Sequence, residues 1–296
     1  MRVFVTGATG FVGSALVPQL IQAGHQVVGL ARTDAAAESL HAAGAESVRG
    51  SLDDLEILSK AAASADGVIH AGFIHDFSNF VASCETDRRA IEAFGAALAG
   101  TNKPLVVTSG TMIASGGSTI ATEEDGPKMV GNPRGQSEEL ALALAEKGVR
   151  VSVIRLPPSV HGVGDHAFMP ALIGIAKSKG EAAYVGDGSN RWPAVHRQDA
   201  VRLYRLALEK APAGTRVHAV GDEGVKIKDI AGVMGRQLGI PVVSKSAEEA
   251  VGHFGFLGHF IAVDNLTSSA LTRERFGWTP TQPGLLADLE ENYFKV

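Results

Sequence analysis

The chain has 296 residues, 45% of them hydrophobic and 20% charged, so it is long enough to bury the core of one or two domains. A net charge of −5 argues against a nucleic-acid partner, and a single cysteine, Cys84, excludes an internal disulfide and fits a reducing compartment. No apolar run approaches the roughly 20 residues of a membrane span, and a strand pattern beginning at Val3 argues against a secretory signal, so a cytoplasmic protein is expected.

Short apolar runs alternate with helical periodicity along the first half of the chain. The run Arg2–Gly7 predicts a buried strand, and the pattern Phe11–Gly24 predicts a helix that ends on a capping glycine. Similar strand and helix patterns alternate as far as the strand "VRVSVIRLP", which ends at Pro157. Strands separated by helices form parallel βαβ units with right-handed crossovers. We therefore predict an α/β fold with a Rossmann-type doubly wound parallel sheet.

After Pro157 the pattern changes to shorter strands and helices. The stretches "EAAYVGDG" and "RWPAVHR" are typical of two short strands around a Gly-Asp-Gly-Ser-Asn turn, and we interpret them as a hairpin. No repeat or low-complexity linker separates the two parts of the chain. We expect a dinucleotide-binding domain over residues 1–160, to which 196–222 returns, and a smaller, interleaved substrate-binding region over 161–296.

The most informative motif is "TGATGFVG", Thr6–Gly13. Gly7, Gly10 and Gly13 follow the first strand directly and stand at the start of a helix. Glycines at this point let the backbone turn tightly and approach a pyrophosphate, whose charge rests on the helix N-terminus. A plain glycine turn is the alternative, but a strand, a helix and a returning strand within about 30 residues favour a dinucleotide site.

The end of the second strand distinguishes the two dinucleotides. An NAD site usually has Asp or Glu at this point to hold the ribose hydroxyls. This chain has Arg32 and Thr33, which can bind a 2′-phosphate through a guanidinium fork and a hydroxyl. A solvated arginine is the alternative, and the adjacent Asp34 keeps NAD open. We predict NADP(H) as the cofactor.

Five stretches occur in an order and spacing that point to a known family. They are "TGATGFVG", "DGVIHAGF", "VVTSG", "VIRLPPSVHG" and "YVGDG…VHRQDA". With them the chain resembles an extended-type short-chain dehydrogenase/reductase, the group of nucleotide-sugar epimerases and hydroxysteroid dehydrogenases. The resemblance runs from Arg2 to about Gly221, with a weaker C-terminal match in "FGWTP". It also implies a homodimer, formed by the helix around Cys84–Gly100 and the helix from Glu138.

The resemblance assigns the cofactor contacts to four regions of the chain. It places Thr9, Gly10, Phe11 and Val12 around the pyrophosphate, Ser51 and Leu52 beside the adenine, Ala71, Gly72 and Phe73 along the ribose, and Pro157, Pro158 and Val160 against the carboxamide. Ser51 departs from the family, which commonly has an aspartate there to bind the adenine amino group.

The catalytic residues of the family are replaced in this chain. The family uses Tyr-x-x-x-Lys on one helix and a serine or threonine at the end of the preceding strand. Aligned on "NPRGQSEE", the tyrosine position holds Arg134, the lysine position Glu138 and the serine position Gly110, next to Thr111. Arginine keeps its proton, so Arg134 can stabilise an oxyanion or hold a carboxylate or enolate but cannot be the acid.

Glu138, His161 and Thr111 each have more than one possible role. Glu138 can anchor Arg134, bind the nicotinamide ribose or relay protons; the alternative is a surface ion pair with Arg134 worth about 0.2–0.5 kcal/mol. His161 is the candidate proton donor because an imidazole titrates near neutral pH. Thr111 offers a hydroxyl near the substrate. A structural hydrogen bond is the alternative for His161 and Thr111.

These residues favour an NADP(H)-dependent oxidoreductase of the atypical short-chain type. Its substrate would be a small organic carbonyl or alcohol, or an activated C=C or C=N bond. One alternative is a non-catalytic NADP(H)-binding sensor, which the missing Tyr/Lys pair favours; a further alternative is an epimerase or dehydratase. No metal is expected, because the histidines lack H-x-x-x-H spacing or a neighbouring carboxylate cluster.

Overall fold

The computed structural model describes residues 1–115, 119–128 and 131–295. Its strands are β1 (Arg2–Thr6), β2 (Gln26–Ala31), β3 (Glu46–Arg49), β4 (Gly67–His70), β5 (Pro104–Gly110), β6 (Arg150–Leu156), β7 (Ser159–His161), β8 (Ala182–Val185), β9 (Arg191–His196), β10 (Thr215–His218), β11 (Asp222–Lys226) and β12 (Val242–Lys245). Its α-helices are α1 (Gly13–Gln22), α2 (Asp34–Ala42), α3 (Leu55–Ser64), α4 (Phe80–Leu98), α5 (Pro133–Ala143), α6 (Phe168–Lys179), α7 (Arg197–Lys210), α8 (Ile227–Leu238), α9 (Ala247–Phe254), α10 (Ala270–Phe276) and α11 (Leu285–Asn292). Short 3-10 helices cover Phe77–Asn79, Thr111–Ala114, Leu144–Lys147 and Gly255–His259.

A seven-stranded parallel sheet forms the centre of the molecule, in the order β10-β6-β5-β4-β1-β2-β3. Its side chains alternate between two buried apolar layers, because successive residues of a strand point to opposite faces. Val3 and Val5 pack with α1 and α7 on one face, whereas Phe4 packs with α3 and α4 on the other. The predicted Rossmann-type α/β fold is confirmed.

The second half of the chain contributes both to the central sheet and to a smaller lobe. β10 pairs with β6 at the edge of the central sheet, and α7 packs against α1. The lobe contains a three-stranded sheet, β11-β9-β7, and the two-stranded sheet β12-β8. Its own apolar core surrounds the fully buried Trp192. Within the ranges described above, no helix is long and apolar enough to cross a membrane.

The hairpin prediction for β8 and β9 is wrong. β8 pairs in parallel with β12, with Ala182 opposite Val242, while β9 lies between β7 and β11. The turn between them does contain glycines in the left-handed region, at Gly186 and Gly188. Glycines allow a turn but do not choose the partner strand, which here is set by packing on α6 and α8.

Candidate active site at the carboxyl edge of the central sheet

The glycine-rich loop after β1 is closely packed against the loop after β4. Gly7 has a φ of +65°, and a Cβ placed on it would lie 2.7 Å from the backbone of Ala71 and Gly72. A Cβ on Gly13 would lie only 2.0 Å from the carbonyl oxygen of Gly7. α1 starts at Gly13 with no side-chain cap, so its first amides can receive an anion. Thr9 and Gly10 are exposed, and the loop fits a dinucleotide pyrophosphate.

Two arginines flank the end of β2, where the sequence predicted one. Arg32 and Thr33 are exposed, and Thr33 Oγ1 accepts a hydrogen bond from the amide of Ala36, which caps α2. Arg49, at the end of β3, donates from Nη1 to the carbonyl of Ala31 at 3.3 Å and lies 3.4 Å from Asp34. Asp34 is therefore paired with a cation. Arg49 was not identified from the sequence. Because β2 and β3 are parallel neighbours, their carboxyl ends lie at the same edge of the sheet, and this would have indicated Arg49.

The adenine side of the predicted cofactor site is formed by a turn. Ser51 Oγ donates to Asp54 Oδ2 at 2.8 Å and accepts from the amide of Asp53, so the serine that replaces the family aspartate closes the turn before α3. Leu52 is buried against the sheet. At the other end of the predicted site Pro157 is buried, and the partly buried Val160 packs on the core beside α7.

Arg134 is held by buried groups on two neighbouring elements. It stands in the first turn of α5, where the Asn132 side chain accepts from its amide. Its Nη1 lies 2.5 Å from Asp87 Oδ2 on α4, and its Nη2 donates to the carbonyl of Thr108 at 2.5 Å. The ring of Phe73 lies 4.4 Å from the guanidinium carbon. These contacts fix a cation at the carboxyl end of β5.

Asp87 connects Arg134 to the glycine-rich loop. Burial alone would raise the pKa of the Asp87 carboxyl, but Arg134 and His70 hold that pKa well below its usual range. His70 Nε2 lies 3.2 Å from Asp87 Oδ1, and its Nδ1 lies 2.7 Å from Thr6 Oγ1, which accepts from the amide of Gly72. A buried polar chain thus joins β1, β4, α4 and α5. Asp87 was not identified from the sequence. Its only indication there is that an acidic residue stands on the apolar face of α4.

Glu138 does not pair with Arg134, so two of the alternatives left open by the sequence, a surface ion pair with Arg134 and anchoring of Arg134, do not hold. Glu138 is buried; Arg155 donates to both of its carboxylate oxygens, at 2.9 and 2.5 Å, and Arg216 donates to Oε1 at 2.9 Å. Burial acts to raise the pKa of Glu138, but these two arginines and Ser109 outweigh it and lower the pKa. Arg134 and Glu138 share a helix, yet each has stronger buried partners on other elements.

His218 completes the buried network around Arg155. Its Nδ1 lies 2.7 Å from the carbonyl oxygen of Ser268, and its Nε2 lies 3.2 Å from Arg155 Nη1. These partners require a neutral ring that donates from Nδ1 and accepts at Nε2. Burial lowers the pKa of His218 from 6.5 to about 4. A proton on Nε2 would remove the bond from Arg155 and place two cations together.

Acidification is therefore expected to destabilise the protein through His218. Between pH 6.5 and about 4 the unfolded chain binds the proton and the folded chain does not, so the free energy of unfolding falls as pH decreases through this window. Urea unfolding at pH 7, 5.5 and 4.5 measures this slope. The His218→Gln variant, which cannot titrate, should show a shallower slope than the parent. Identical slopes would contradict the assignment of the neutral ring.

Thr111 lies at the carboxyl end of β5 in contact with the C-terminal lobe. It is fully buried, and Asn265 Nδ2 donates to its Oγ1 at 2.9 Å. The Asn265 amide is itself fixed by Thr267, whose Oγ1 lies 3.0 Å from Asn265 Oδ1. Because Asn265 occupies Oγ1 as a donor, the hydroxyl hydrogen of Thr111 can serve another acceptor. Asn265 was not identified from the sequence.

His161 belongs to a third hydrogen-bond network. It is fully buried on β7, with Nδ1 2.7 Å from Asp288 Oδ2 on α11 and its ring 5.4 Å from that of His196. Among the described residues, its Nε2 has no hydrogen-bond partner. Arg134, Thr111 and His161 thus lie in separate networks, with Asp87, Asn265 and Asp288 as their respective partners.

The chain is similar to known proteins in sequence and in fold. Residues 3–221 match the model of the NAD dependent epimerase/dehydratase family. "Uncharacterized protein C2A9.02" of Schizosaccharomyces pombe is 52% identical over 99% of this chain and 100% of its own length. The 4-hydroxy-2-methyl-3-oxo-4-farnesyl-3,4-dihydroquinoline-1-oxide ketoreductase of Stigmatella aurantiaca is 28% identical over 72% of this chain and 66% of its own length. The dTDP-glucose 4,6-dehydratase DesIV of Streptomyces venezuelae, solved with NAD and TYD bound, has a TM-score of 0.77 at 21% identity, over 99% of this chain and 95% of that one.

Proposed function

Because the chain belongs to the NAD dependent epimerase/dehydratase family, we propose that it is an NADP(H)-dependent oxidoreductase acting on a small organic carbonyl or alcohol. The observation that carries the proposal is the fixed guanidinium of Arg134. Nη1 forms an ion pair with Asp87 and Nη2 donates to the Thr108 carbonyl, and a guanidinium has five N–H groups. The remaining donors can bind an oxygen that becomes negative, which is what carbonyl reduction requires. The ketoreductase relative from Stigmatella supports this reaction class.

The cofactor is assigned to the residues that form the predicted cradle. The amides of the loop after Gly7 and of the start of α1 would hold the pyrophosphate. Arg32 and Thr33, with Arg49 beside them, would bind the 2′-phosphate. Ala71, Gly72 and Phe73 would follow the ribose, and Pro157 and Val160 would lie against the carboxamide. The bound nicotinamide supplies the hydride.

The side chains of the protein stabilise the charge that develops on the substrate oxygen and deliver the proton. As the carbonyl carbon accepts hydride, the oxygen becomes an alkoxide, which Arg134 stabilises and Thr111 binds through its free hydroxyl hydrogen. The proton then reaches the alkoxide from water through Thr111. His161 is left out of this path because it lies on β7 and is bound to Asp288 on α11, whereas Arg134 and Thr111 both lie at the carboxyl end of β5. Glu138 is left out because its carboxylate already binds two arginines.

NADPH oxidation with a panel of carbonyl and activated-alkene substrates tests the proposed activity. Turnover of a carbonyl compound, with the alcohol identified as product, is the expected result. Tight NADPH binding without turnover of any panel member would reject the oxidoreductase and favour a sensor. Interconversion of sugar epimers without net change of NADPH would favour an epimerase.

The preference for NADPH should depend on Arg32. Replacing Arg32 with alanine removes a charge-assisted contact to the 2′-phosphate, so NADPH affinity should fall by about 10- to 100-fold while NADH affinity is unchanged. Calorimetric titration of both cofactors measures this difference. Arg236→Ala, which removes an exposed arginine paired with Glu290, is the matched control. Equal NADPH and NADH affinities in the parent would refute the NADP(H) assignment.

We also propose that the protein is a cytoplasmic homodimer. The resemblance places the interface on α4 and α5, which pack against each other in each chain. Their exposed residues include Glu85, which pairs with Arg88, and Arg89 and Glu139.

A further inference from the structure

Six rings from three separate segments form an aromatic cluster beside the candidate active site. The members of the aromatic cluster are Phe73, His75, Phe77, Phe80, Phe168 and Phe256. Phe77 and Phe256 are stacked, with ring centres 5.0 Å apart and ring planes at 18°. Phe168 lies 6.2 Å from Phe77 and 6.4 Å from Phe256. These are the distances of interacting aromatic pairs.

The aromatic cluster spans the two parts of the molecule. Phe73 and Phe77 follow β4 of the central sheet, whereas Phe168 begins α6 and Phe256 lies in the 3-10 helix Gly255–His259 of the smaller lobe. At its inner end the Phe73 ring contacts the guanidinium of Arg134. The cluster therefore leads from the surface to the fixed cation.

The outer rings of the cluster are partly open to solvent. Phe77 is 37% exposed and Phe256 is 44% exposed, although both are large apolar side chains. Single exposed apolar residues are common, but a contiguous apolar patch beside a polar site marks a binding surface. Packing within the protein leaves this stacked pair half covered, so a further apolar group can add to its burial.

Charge at the cluster does not favour an anionic substrate. Desolvation and the charge of Arg134 lower the pKa of His75, which disfavours a positive charge on its ring. Asp76, between two ring residues, has a pKa lowered by Ser78 and carries a negative charge. At the outer end of the cluster a nucleotide diphosphate would meet the Asp76 carboxylate.

We propose that the aromatic cluster selects the substrate and that its occupant is an uncharged aryl carbonyl compound. Its ring system would lie against Phe77, Phe168 and Phe256, and its carbonyl oxygen would bind Arg134. This inference rests on the proposed oxidoreductase function and adds the substrate class. Offset stacking on several rings favours a flat aromatic group over a saturated ring of similar size.

Binding to the protein saturated with NADP⁺ tests this inference without turnover. Calorimetric titrations would compare 2-acetylnaphthalene, cyclohexyl methyl ketone and UDP-glucose. The aryl ketone is expected to bind most tightly. The double variant Phe77→Leu/Phe256→Leu keeps apolar side chains but removes the stacked pair, and it should weaken aryl ketone binding by about 10-fold with little effect on the saturated ketone.

Phe294→Leu is the matched control, because this partly buried ring packs on the lobe core outside the aromatic cluster. It should leave aryl ketone affinity unchanged, and thermal unfolding would verify that all variants are folded.

Tighter binding of UDP-glucose, no binding of the aryl ketone, or an unchanged aryl ketone affinity in the double variant would each overturn the inference. Reduction of saturated ketones with no preference for aryl ketones would overturn it while leaving the oxidoreductase in place. Aryl ketone binding that depends on the stacked pair, without turnover, would support the cluster as an aryl-binding site but would reject the oxidoreductase and with it the substrate role.

Discussion

Replacing Arg134 with alanine is expected to lower kcat/KM for carbonyl reduction by about 100- to 1000-fold, the usual cost of losing an oxyanion donor. NADPH affinity should change far less, because Arg134 is not itself assigned to the cofactor and meets that site through the Phe73 ring. Steady-state kinetics and a separate NADPH titration measure the two quantities. Arg134→Lys keeps the charge but loses the fork that binds Asp87 and Thr108 together, so it should retain only part of the activity.

A structural effect of the same substitution has to be separated from a chemical one. Arg134→Ala leaves the Asp87 carboxylate fully buried beside His70 without its cation, which destabilises the fold. The double variant Arg134→Ala/Asp87→Asn removes that charge as well and should regain stability but not turnover. Recovery of turnover in the double variant would show that Arg134 serves only to neutralise Asp87.

Replacing Glu138 with glutamine should lower the free energy of unfolding by about 3–5 kcal/mol, because it leaves Arg155 buried without its counter-charge. Urea unfolding measures the loss. Glu274→Gln, at an exposed position of α10, is the matched control and should change stability by no more than about 0.5 kcal/mol. NADPH affinity should stay the same in both variants. Unaltered stability together with weaker NADPH binding would indicate instead that Glu138 binds the nicotinamide ribose.

The contribution of Glu138 has a defined pH dependence. Its pKa is lowered in the folded state, so its stabilising effect is complete above the unfolded value of about 4.3 and is lost as pH falls through the folded pKa. The stability difference between the parent and Glu138→Gln should therefore narrow in strong acid. The double variant Glu138→Leu/Arg155→Met replaces both buried charges by apolar groups and should recover most of the lost stability.

Local patterns in the sequence were sufficient to predict the fold and the close packing of the glycine-rich loop. Strand and helix periodicities record which face of each element is buried, and their alternation leaves few topologies. The glycines of Thr6–Gly13 mark positions where a Cβ would collide with the backbone, so their spacing indicates the close approach directly. The family was predicted from the order and spacing of the sequence motifs, and the match of the family model over residues 3–221 confirms it.

The tertiary structure alone decided which charged and aromatic groups meet. Arg134 and Glu138 are one turn apart on α5, yet Arg134 binds Asp87 on α4 and Glu138 binds Arg155 on β6. β8 likewise pairs with β12 rather than with its neighbour β9, and the aromatic cluster draws rings from both parts of the chain. A buried charge or ring is stabilised by whatever partner is desolvated beside it. That partner is set by how distant elements pack, which spacing along the chain does not record.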